Sequence, residues 1–426
     1  MKAVILAAGE GKRLQPITST RPKHLIKVGG KPILERCLNM LKASGIDEAV
    51  IVVHYMADAI CDYLGDGEKF GLKIEYVKQN AMLGTGNAVG VVEPLVRENF
   101  LLVYGDLLFT AEALRKVIGL HEKEKPVATM AVVPVEKPED YGIVELENGK
   151  RVKRVIEKPS SKDAPSNLAN AGMYVLSTEI FEKIKETSAS TRGEWEITDA
   201  ISLLTKEKTV LAAKISREDW FDIGRPWDLL EANRWMLMRM RHEVLGHVED
   251  GAQLNGPVTV AETARVRSGA YIEGPALIDE ESDIGPNCYI RPCTSIGRGV
   301  RIGNACEIKN SVIMDGTHIG HLSYVGDCIM GENCNLGAGT VTANYRLDGG
   351  TVKMTVKGES VDSGRRKLGA VLGDNVKTGI NALLMPGVKV GCNSWVGPNV
   401  VVYRDLPADT VVLLKQNLEE RKLKGS

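Results

Sequence analysis

The sequence predicts an α/β domain on a mostly parallel sheet, followed by a stacked β-solenoid. Three observations carry that expectation. Apolar runs alternate with helical patterns through the first half of the chain. Aliphatic residues then recur every six positions, at Val260, Val266, Ile272, Ile278, Ile284, Ile290, Ile296, Ile302 and Ile308. After an irregular stretch the same step returns at Leu372, Thr378, Leu384, Val390, Val396 and Val402, so the repeat brackets a break and resumes.

Lys2 to Ala7 reads as a buried strand. Ala8-Gly9-Glu10-Gly11-Lys12-Arg13-Leu14 follows it, then a polar stretch ending in Arg21-Pro22-Lys23. Further strands are expected over Ala49 to Val53, Phe100 to Tyr104 and Val127 to Val133, and helices over Ile33 to Ala43 and Ala111 to Glu122. Such alternation predicts helices covering a mostly parallel sheet, with ligands at the carboxyl ends of its strands, where the glycine loop falls. A lone G-x-G is equally well explained as a turn. A dinucleotide fingerprint needs a third glycine where Leu14 stands. What remains is a loop whose backbone N–H groups can approach a triphosphate, with Arg13 and Lys23 as adjacent cations.

In the second half, the residue two positions before each aliphatic one is usually small: Ala264, Ala270, Ala276, Ser282, Cys288, Thr294 and Cys306, then Ala370, Ala382 and Ser394. Three six-residue faces make a coil of 18 residues, with strands stacked at ~4.8 Å. The frame slips by one residue around Ile319 and again around Met330, then meets a polar excursion from Ala343 to Gly369. Long ordered loops in compact folds are commonly functional. Within the excursion Thr351 to Lys357 alternates and suits a hairpin. The cluster Arg365-Arg366-Lys367 is either a solvated face or a phosphate clamp.

Pro226 to Gly246 carries apolar residues at helical spacing, as a packing helix between domains does. The expected domains are 1–229, a helical linker over 230–250, and 251–426, with a charged C-terminal helix from Leu413 to Lys424 capping the solenoid.

At 426 residues the chain has room for two or three cores, and a net charge of -1 gives no bulk attraction to nucleic acid or a membrane. The eight cysteines show no CxxC pair, and Cys288, Cys306 and Cys334 occupy the small-residue slot, so packed thiols in a reducing compartment, the cytoplasm, are expected. MKAVILAAG is too short for a signal segment, and no apolar run reaches membrane-spanning length. His242 and His247 lie five apart, which is poor spacing for metal ligands.

A-A-G-x-G-x-R-L and R-P-K-H-L together resemble the sugar-1-phosphate nucleotidyltransferases, and matching segments continue in order over about residues 1–230. The resemblance implies nucleotide contacts from Leu6, Ala8, Gly9, Gly11, Gln79, Gly84, Thr85 and Tyr104. It implies sugar-phosphate contacts from Gly142, Glu157, Lys158 and Asn170, and Mg²⁺ on Asp106 and Asp222. Arg13 would face the leaving phosphates and Lys23 would lie between the reactants. A sugar 1-phosphate oxygen attacks the α-phosphorus and pyrophosphate leaves, so alignment and charge neutralisation suffice without a covalent nucleophile.

The hexapeptide pattern is similar to the left-handed β-helix acyltransferases, and handedness comes from that similarity alone. His318-Ile319-Gly320-His321-Leu322-Ser323-Tyr324-Val325-Gly326-Asp327, Asn335-Leu336-Gly337-Ala338-Gly339-Thr340 and Asn344-Tyr345 resemble the acetyltransferase domain of the bifunctional enzymes that make UDP-N-acetylglucosamine. This implies acetyl transfer from acetyl-CoA to glucosamine 1-phosphate, with His321 as base, because imidazole titrates near working pH. Tyr324, Asn335 and Asn344 would hold the amino sugar, Arg291 and Lys309 its phosphate, and Ala338, Gly379 and Gly397 the coenzyme. Where the family often has a lysine stands Gly350, with Lys353 nearby as a substitute. The family also associates as homotrimers.

The principal expectation is a two-site enzyme acting on an amino-sugar 1-phosphate, acetyl-CoA and UTP or dTTP. One rival keeps nucleotidyl transfer alone, on glucose or mannose 1-phosphate, with a structural or regulatory β-helix. R-P-K-H-L resembles the glucose-1-phosphate thymidylyltransferases. The other rival is a non-catalytic sensor of sugar nucleotides. The set His321, Tyr324, Asn335 and Asn344 speaks against a merely structural solenoid, and intact charge-handling residues speak against a sensor.

Overall fold

The computed structural model describes residues 1–190 and 193–421. Two compact units emerge, the first holding Met1–Gly11, Arg21–Lys27 and Lys31–Gly224, the second Lys12–Thr20, Val28–Gly30 and Arg225 onward.

In the first unit nine strands form one sheet: β1 Ala3–Ala7, β2 Glu48–Val53, β3 Lys73–Lys78, β4 Phe100–Tyr104, β5 Ala128–Pro134, β6 Gly142–Glu147, β7 Arg151–Glu157, β8 Leu168–Leu176 and β9 Val210–Lys214. Their order is β3-β2-β1-β4-β8-β5-β9-β7-β6. Only β7 and β8 run against the others, so the sheet is mostly parallel as expected. All five residues of β1 are buried, which is why this strand reads as a continuous apolar run.

Alternate β1 residues feed two cores. Ala3, Ile5 and Ala7 pack with residues of helices α1 (Ile33–Ala43), α2 (Ala57–Leu64) and α4 (Ala111–Glu124). Val4 and Leu6 pack with α3 (Thr85–Gly90), α5 (Ile180–Glu186) and α6 (Ile197–Glu207). Helix α4 begins where the Thr110 hydroxyl accepts from the Ala113 N–H at 3.2 Å, a side-chain N-cap.

The second unit is a parallel β-helix of three sheets, with nine, eight and seven strands. Its step is 18 residues, as between Arg265 and Asp283. Val260 through Ile308 at the predicted spacing are all at most 1% exposed, and the preceding small residues are buried beside them. Each buried Ile contributes roughly 1.5–3 kcal/mol.

The slips in frame have a structural form. Coils shorten to 17 residues, as between Glu307 and Tyr324. The missing residue is lost at the corner between Ile308 and Ile313, and again between Val325 and Met330. Asn310 (φ 44°) and Asp327 (φ 55°) turn these short corners in the left-handed region. At the next corner the chain departs into the excursion, whose Lys353–Val356 and Glu359–Asp362 pair as the expected hairpin. Lys357 and Gly358 both take positive φ at its turn.

Two expectations need correction. The linker helix, α7, spans Pro226–Leu237, not 230–250, and starts where the Arg225 backbone N–H donates to Asp228 Oδ2 at 2.7 Å. It stops because Met238, Val244 and Leu245 are more than half exposed and find no partner face, while Val244 already bridges Val260 in the β-helix ladder. The tail from Leu413 to Arg421 is not helical, and the last residues of that expectation lie outside the described ones. Leu413, Leu414 and Leu418 are exposed, so an amphipathic helix there would bury nothing to offset its nucleation cost.

Candidate active sites

The first site is assembled at the carboxyl ends of β1 and β4. Gly11 turns the loop after β1 at φ 68°. A Cβ on Gly9 would meet no protein atom within 4 Å, so packing does not explain that glycine. Gly105 is different: its added Cβ would lie 2.8 Å from the Leu6 carbonyl, so only glycine lets β4 close on β1 and place the following Asp106. Asp106 Oδ2 lies 2.5 Å from Nζ of Lys23, which sits in a short 3-10 turn and is 6% exposed. Next to Lys23 in the same turn, His24 is buried, with Nδ1 lacking a partner. Burial pulls its imidazole down to about 4; Asp106 opposes that shift and Lys23 adds to it.

Asp222 ends a short strand, Trp220–Asp222, antiparallel to Leu107–Phe109, and the register sets Asp222 opposite Leu107. The two carboxylates therefore stand at one end of a ribbon. Carboxylate oxygens are donors of the kind Mg²⁺ takes, so these two residues could hold one together with substrate oxygens. No cluster of three or more His, Cys, Asp or Glu suited to a metal occurs among the described residues.

The sugar-phosphate candidates converge from β6, β7 and β8. Gly142 pairs with Glu157, and a Cβ on Gly142 would lie 2.7 Å from Glu157 Oε2 and 3.8 Å from Asn170 Cβ. Asn170 Nδ2 donates to the Tyr174 hydroxyl at 2.5 Å, and that hydroxyl is 3.2 Å from the one on Tyr104. Burial raises both phenols. Lys158, in the left-handed region at φ 46°, is exposed.

Gln79 is 2% exposed, and its amide donates inward to Asn87 Oδ1 (2.8 Å) and Gly84 O (3.3 Å). Thr85 likewise faces protein, its hydroxyl accepting from Ile197 N at 3.0 Å. These two residues shape the 79–86 loop. Arg13 is exposed on the turn Lys12–Leu14, in a segment that belongs to the second unit.

The second site lies on the short corners of the β-helix. Asp327, 3% exposed, accepts from Asn310 Nδ2 at 2.7 Å, Asn344 Nδ2 at 2.6 Å and Lys309 Nζ at 3.3 Å. Asn344 Nδ2 also donates to the Tyr324 hydroxyl at 3.1 Å. Tyr324 pairs in register with Glu307, which holds Arg291 at 2.8 Å. Burial raises the Tyr324 phenol. His321 is exposed at the end of its strand, three residues before Tyr324 across a corner turned by Leu322 at φ 51°.

Asn335 is exposed on the neighbouring coil, opposite His318. Lys353 is exposed on the hairpin. Arg365 is engaged by Glu231 of α7, which favours a structural use of that cation. Gly379 and Gly397 have a packing explanation: added Cβ atoms would lie 2.5 Å from Pro398 N and 2.8 Å from Leu413 Cδ2. Ala338 accepts from Asn381 N through its carbonyl at 2.8 Å.

Residues 2–238 match the family described as nucleotidyl transferase, and residues 272–385 match the GMPPB C-terminal domain. A bifunctional GlmU protein of Methanocaldococcus jannaschii is 42% identical over 424 residues, 100% of both chains. The chain belongs to the GlmU family of bifunctional proteins. A bifunctional sugar-1-phosphate nucleotidylyltransferase/acetyltransferase of Sulfurisphaera tokodaii is also 42% identical, over 95% of this chain and 98% of its own. Among solved structures, a UDP-glucose pyrophosphorylase complexed with UDP-glucose superposes with TM-score 0.52 at 29% identity, covering 56% of this chain and 99% of that one.

For this GlmU-family chain, sequence reading missed the side chains that hold others in place. Tyr174 sits between Asn170 and Tyr104, and Asn310 and Asp327 join Lys309 to Asn344. The signal for the last two was the five-residue step. No helix among the described residues is long and apolar enough to cross a membrane.

Proposed function

We propose that the chain acetylates glucosamine 1-phosphate from acetyl-CoA and then couples the N-acetylglucosamine 1-phosphate to UTP, releasing pyrophosphate. The observation that carries this reading is full-length similarity to bifunctional relatives, spanning both units. The Lys23–Asp106 pair and the Asp327-centred cluster supply chemistry suited to each half.

In nucleotidyl transfer, a phosphate oxygen of the sugar 1-phosphate attacks the α-phosphorus and the bond to the β-phosphate oxygen breaks. Lys23 orients the reacting phosphates, and Arg13 neutralises the leaving ones. Asp106 and Asp222 would hold Mg²⁺, which supplies charge neutralisation at the phosphate oxygens. Leu6, Ala8, Gly9, Gly11, Gln79, Gly84, Thr85 and Tyr104 form the nucleotide pocket in this reading; Gly142, Glu157, Lys158 and Asn170 hold the sugar.

In acetyl transfer, the sugar amine attacks the thioester carbonyl, the C–S bond breaks, and the thiol of coenzyme A leaves. His321 takes the amine proton. Tyr324, Asn335 and Asn344 orient the sugar, Arg291 and Lys309 take its phosphate with Lys353 as an auxiliary cation, and backbone near Ala338, Gly379 and Gly397 faces the coenzyme. Threefold association and a cytoplasmic setting, consistent with eight free thiols, complete the proposal.

A coupled assay tests it: glucosamine 1-phosphate, acetyl-CoA and each nucleoside triphosphate in turn, with product masses read. Acetylated sugar phosphate and a UDP-sugar are expected. A nucleotide sugar formed without any acetyl transfer would leave the single-activity alternative.

A further inference from the structure

Two consecutive coils of the β-helix are one residue short at the same corner, and the corner above them opens into the excursion. Stacking there brings Lys309 and Asn310 of one coil beside Asp327 of the next, with Asn344 of the third reaching the same carboxylate. Gly326 permits this approach, because a Cβ there would lie 2.4 Å from the Tyr324 hydroxyl and 2.7 Å from Asn344 Nδ2.

Asp327 adopts positive φ (55°), and its side chain is 4% exposed. The backbone does not require a carboxylate. Asn310 and Asn333 occupy left-handed corners in the same coils, and Asn375, Asn381, Asn393 and Asn399 do so farther along. A buried acid at such a corner, with three side-chain donors converging on it, has a polar task.

We propose that Asp327 is a positioning residue that fixes the hydrogen-bonding polarity of the acetyl-transfer site. This rests on the acetyltransferase reading above. An ionised carboxylate only accepts, so Asn344 must turn its NH₂ toward Asp327. The second Nδ2 hydrogen goes to the Tyr324 oxygen. Two consequences follow for the substrate side. The Asn344 carbonyl oxygen is left as an acceptor for an amine or hydroxyl hydrogen, and the Tyr324 hydroxyl keeps its own hydrogen to donate. Asp327 also tethers Lys309, so the cation assigned to the sugar phosphate is held in a defined place. With asparagine at 327, an amide would face an amide, Asn344 could present either end, and Lys309 would lose its anionic anchor.

The test uses the full-length protein with Asp327→Asn, a nearly isosteric change, and Asp327→Glu, which keeps the charge but displaces it. For Asp327→Asn the KM for glucosamine 1-phosphate is expected to rise about tenfold or more. The KM for acetyl-CoA, the nucleotidyl transfer rate with N-acetylglucosamine 1-phosphate, and the melting temperature should stay near wild type. Asp327→Glu should recover part of the lost affinity if its chain reaches Asn344. An amino-sugar KM within about twofold of wild type in Asp327→Asn overturns the proposal. So does a parallel rise of both KM values with a fall in melting temperature, which is the mark of a structural residue. Absence of acetyl transfer in the wild type instead overturns the underlying acetyltransferase reading, and the assignment of Asp327 falls with it.

Discussion

The ammonium of Lys23 lies 2.5 Å from Oδ2 of Asp106, and the two ends of that pair differ in their access to water: the lysine side chain is 7% exposed and the aspartate 26%. The cation is anchored in protein while the anion looks outward. That polarity suits a site that receives phosphates and a counter-ion from solvent.

Asp106→Asn therefore should abolish Mg²⁺-dependent nucleotidyl transfer, by about 10²-fold or more, because the neutral amide cannot hold the cation and leaves Lys23 without its partner. Acetyl transfer by the same variant should stay near wild type. Pyrophosphate release and coenzyme A release, measured on one preparation, check both statements. Full nucleotidyl activity in the variant would remove Asp106 from the metal site.

The buried neutral imidazole of His24 links this pair to pH. Its pKa in the fold is pulled from 6.5 to about 4. The unfolded chain therefore binds the proton more tightly, and the stabilising contribution is complete above pH 6.5. As pH falls through the window from 6.5 to about 4 it is lost, by roughly 3 kcal/mol in total. Melting curves recorded from pH 7 to pH 4 should show a steeper decline for wild type than for His24→Gln. Parallel curves for the two proteins would mean that His24 does not titrate in this way.

Much of this was legible in the chain, for reasons that particular residues make plain. A parallel β-helix repeats one environment, so Ile272, Ile290 and Ile308 must all be apolar, and a period of six is its direct imprint. Gly9, Gly11, Arg13 and Lys23 were visible because they lie close together in sequence. Asp327 closes a segment that resembles the acetyltransferases, yet its role was not legible, because its partners Lys309 and Asn344 are 18 and 17 positions away and meet only through stacking. The end of α7 was misplaced because helical spacing in Met238 to Leu245 continues after the packing surface has ended. Gln79 and Thr85 are assigned to the nucleotide by resemblance, and their side chains also bond to Asn87, Gly84 and Ile197, partners that no local pattern reveals.

Ile290 is fully buried between Ile272 above and Ile308 below. Ile290→Ala should cost about 2–5 kcal/mol, since the coils on either side are hydrogen-bonded in register and collapse poorly around a cavity. Denaturant unfolding followed by far-ultraviolet dichroism measures the loss, and Ile290→Val should cost about 1 kcal/mol. Equal stability of the alanine variant would contradict close packing in that coil.

His321 separates the two activities from the other side. It is exposed at a strand end, and Tyr324, three residues on, carries a hydroxyl that accepts from Asn344, which Asp327 holds in turn. An attacking ammonium is nucleophilic only after losing a proton, and His321 is the base that the proposed function assigns to it. His321→Ala should therefore lower kcat for acetyl transfer by about 10²–10⁴-fold with little change in the KM for either substrate. Nucleotidyl transfer to N-acetylglucosamine 1-phosphate should be unaffected, because the charge-handling groups proposed for it include Lys23 and Asp106 and not His321. Loss of both activities together would show that the two centres do not work independently, and a rise in KM with kcat unchanged would reassign His321 from proton transfer to substrate binding.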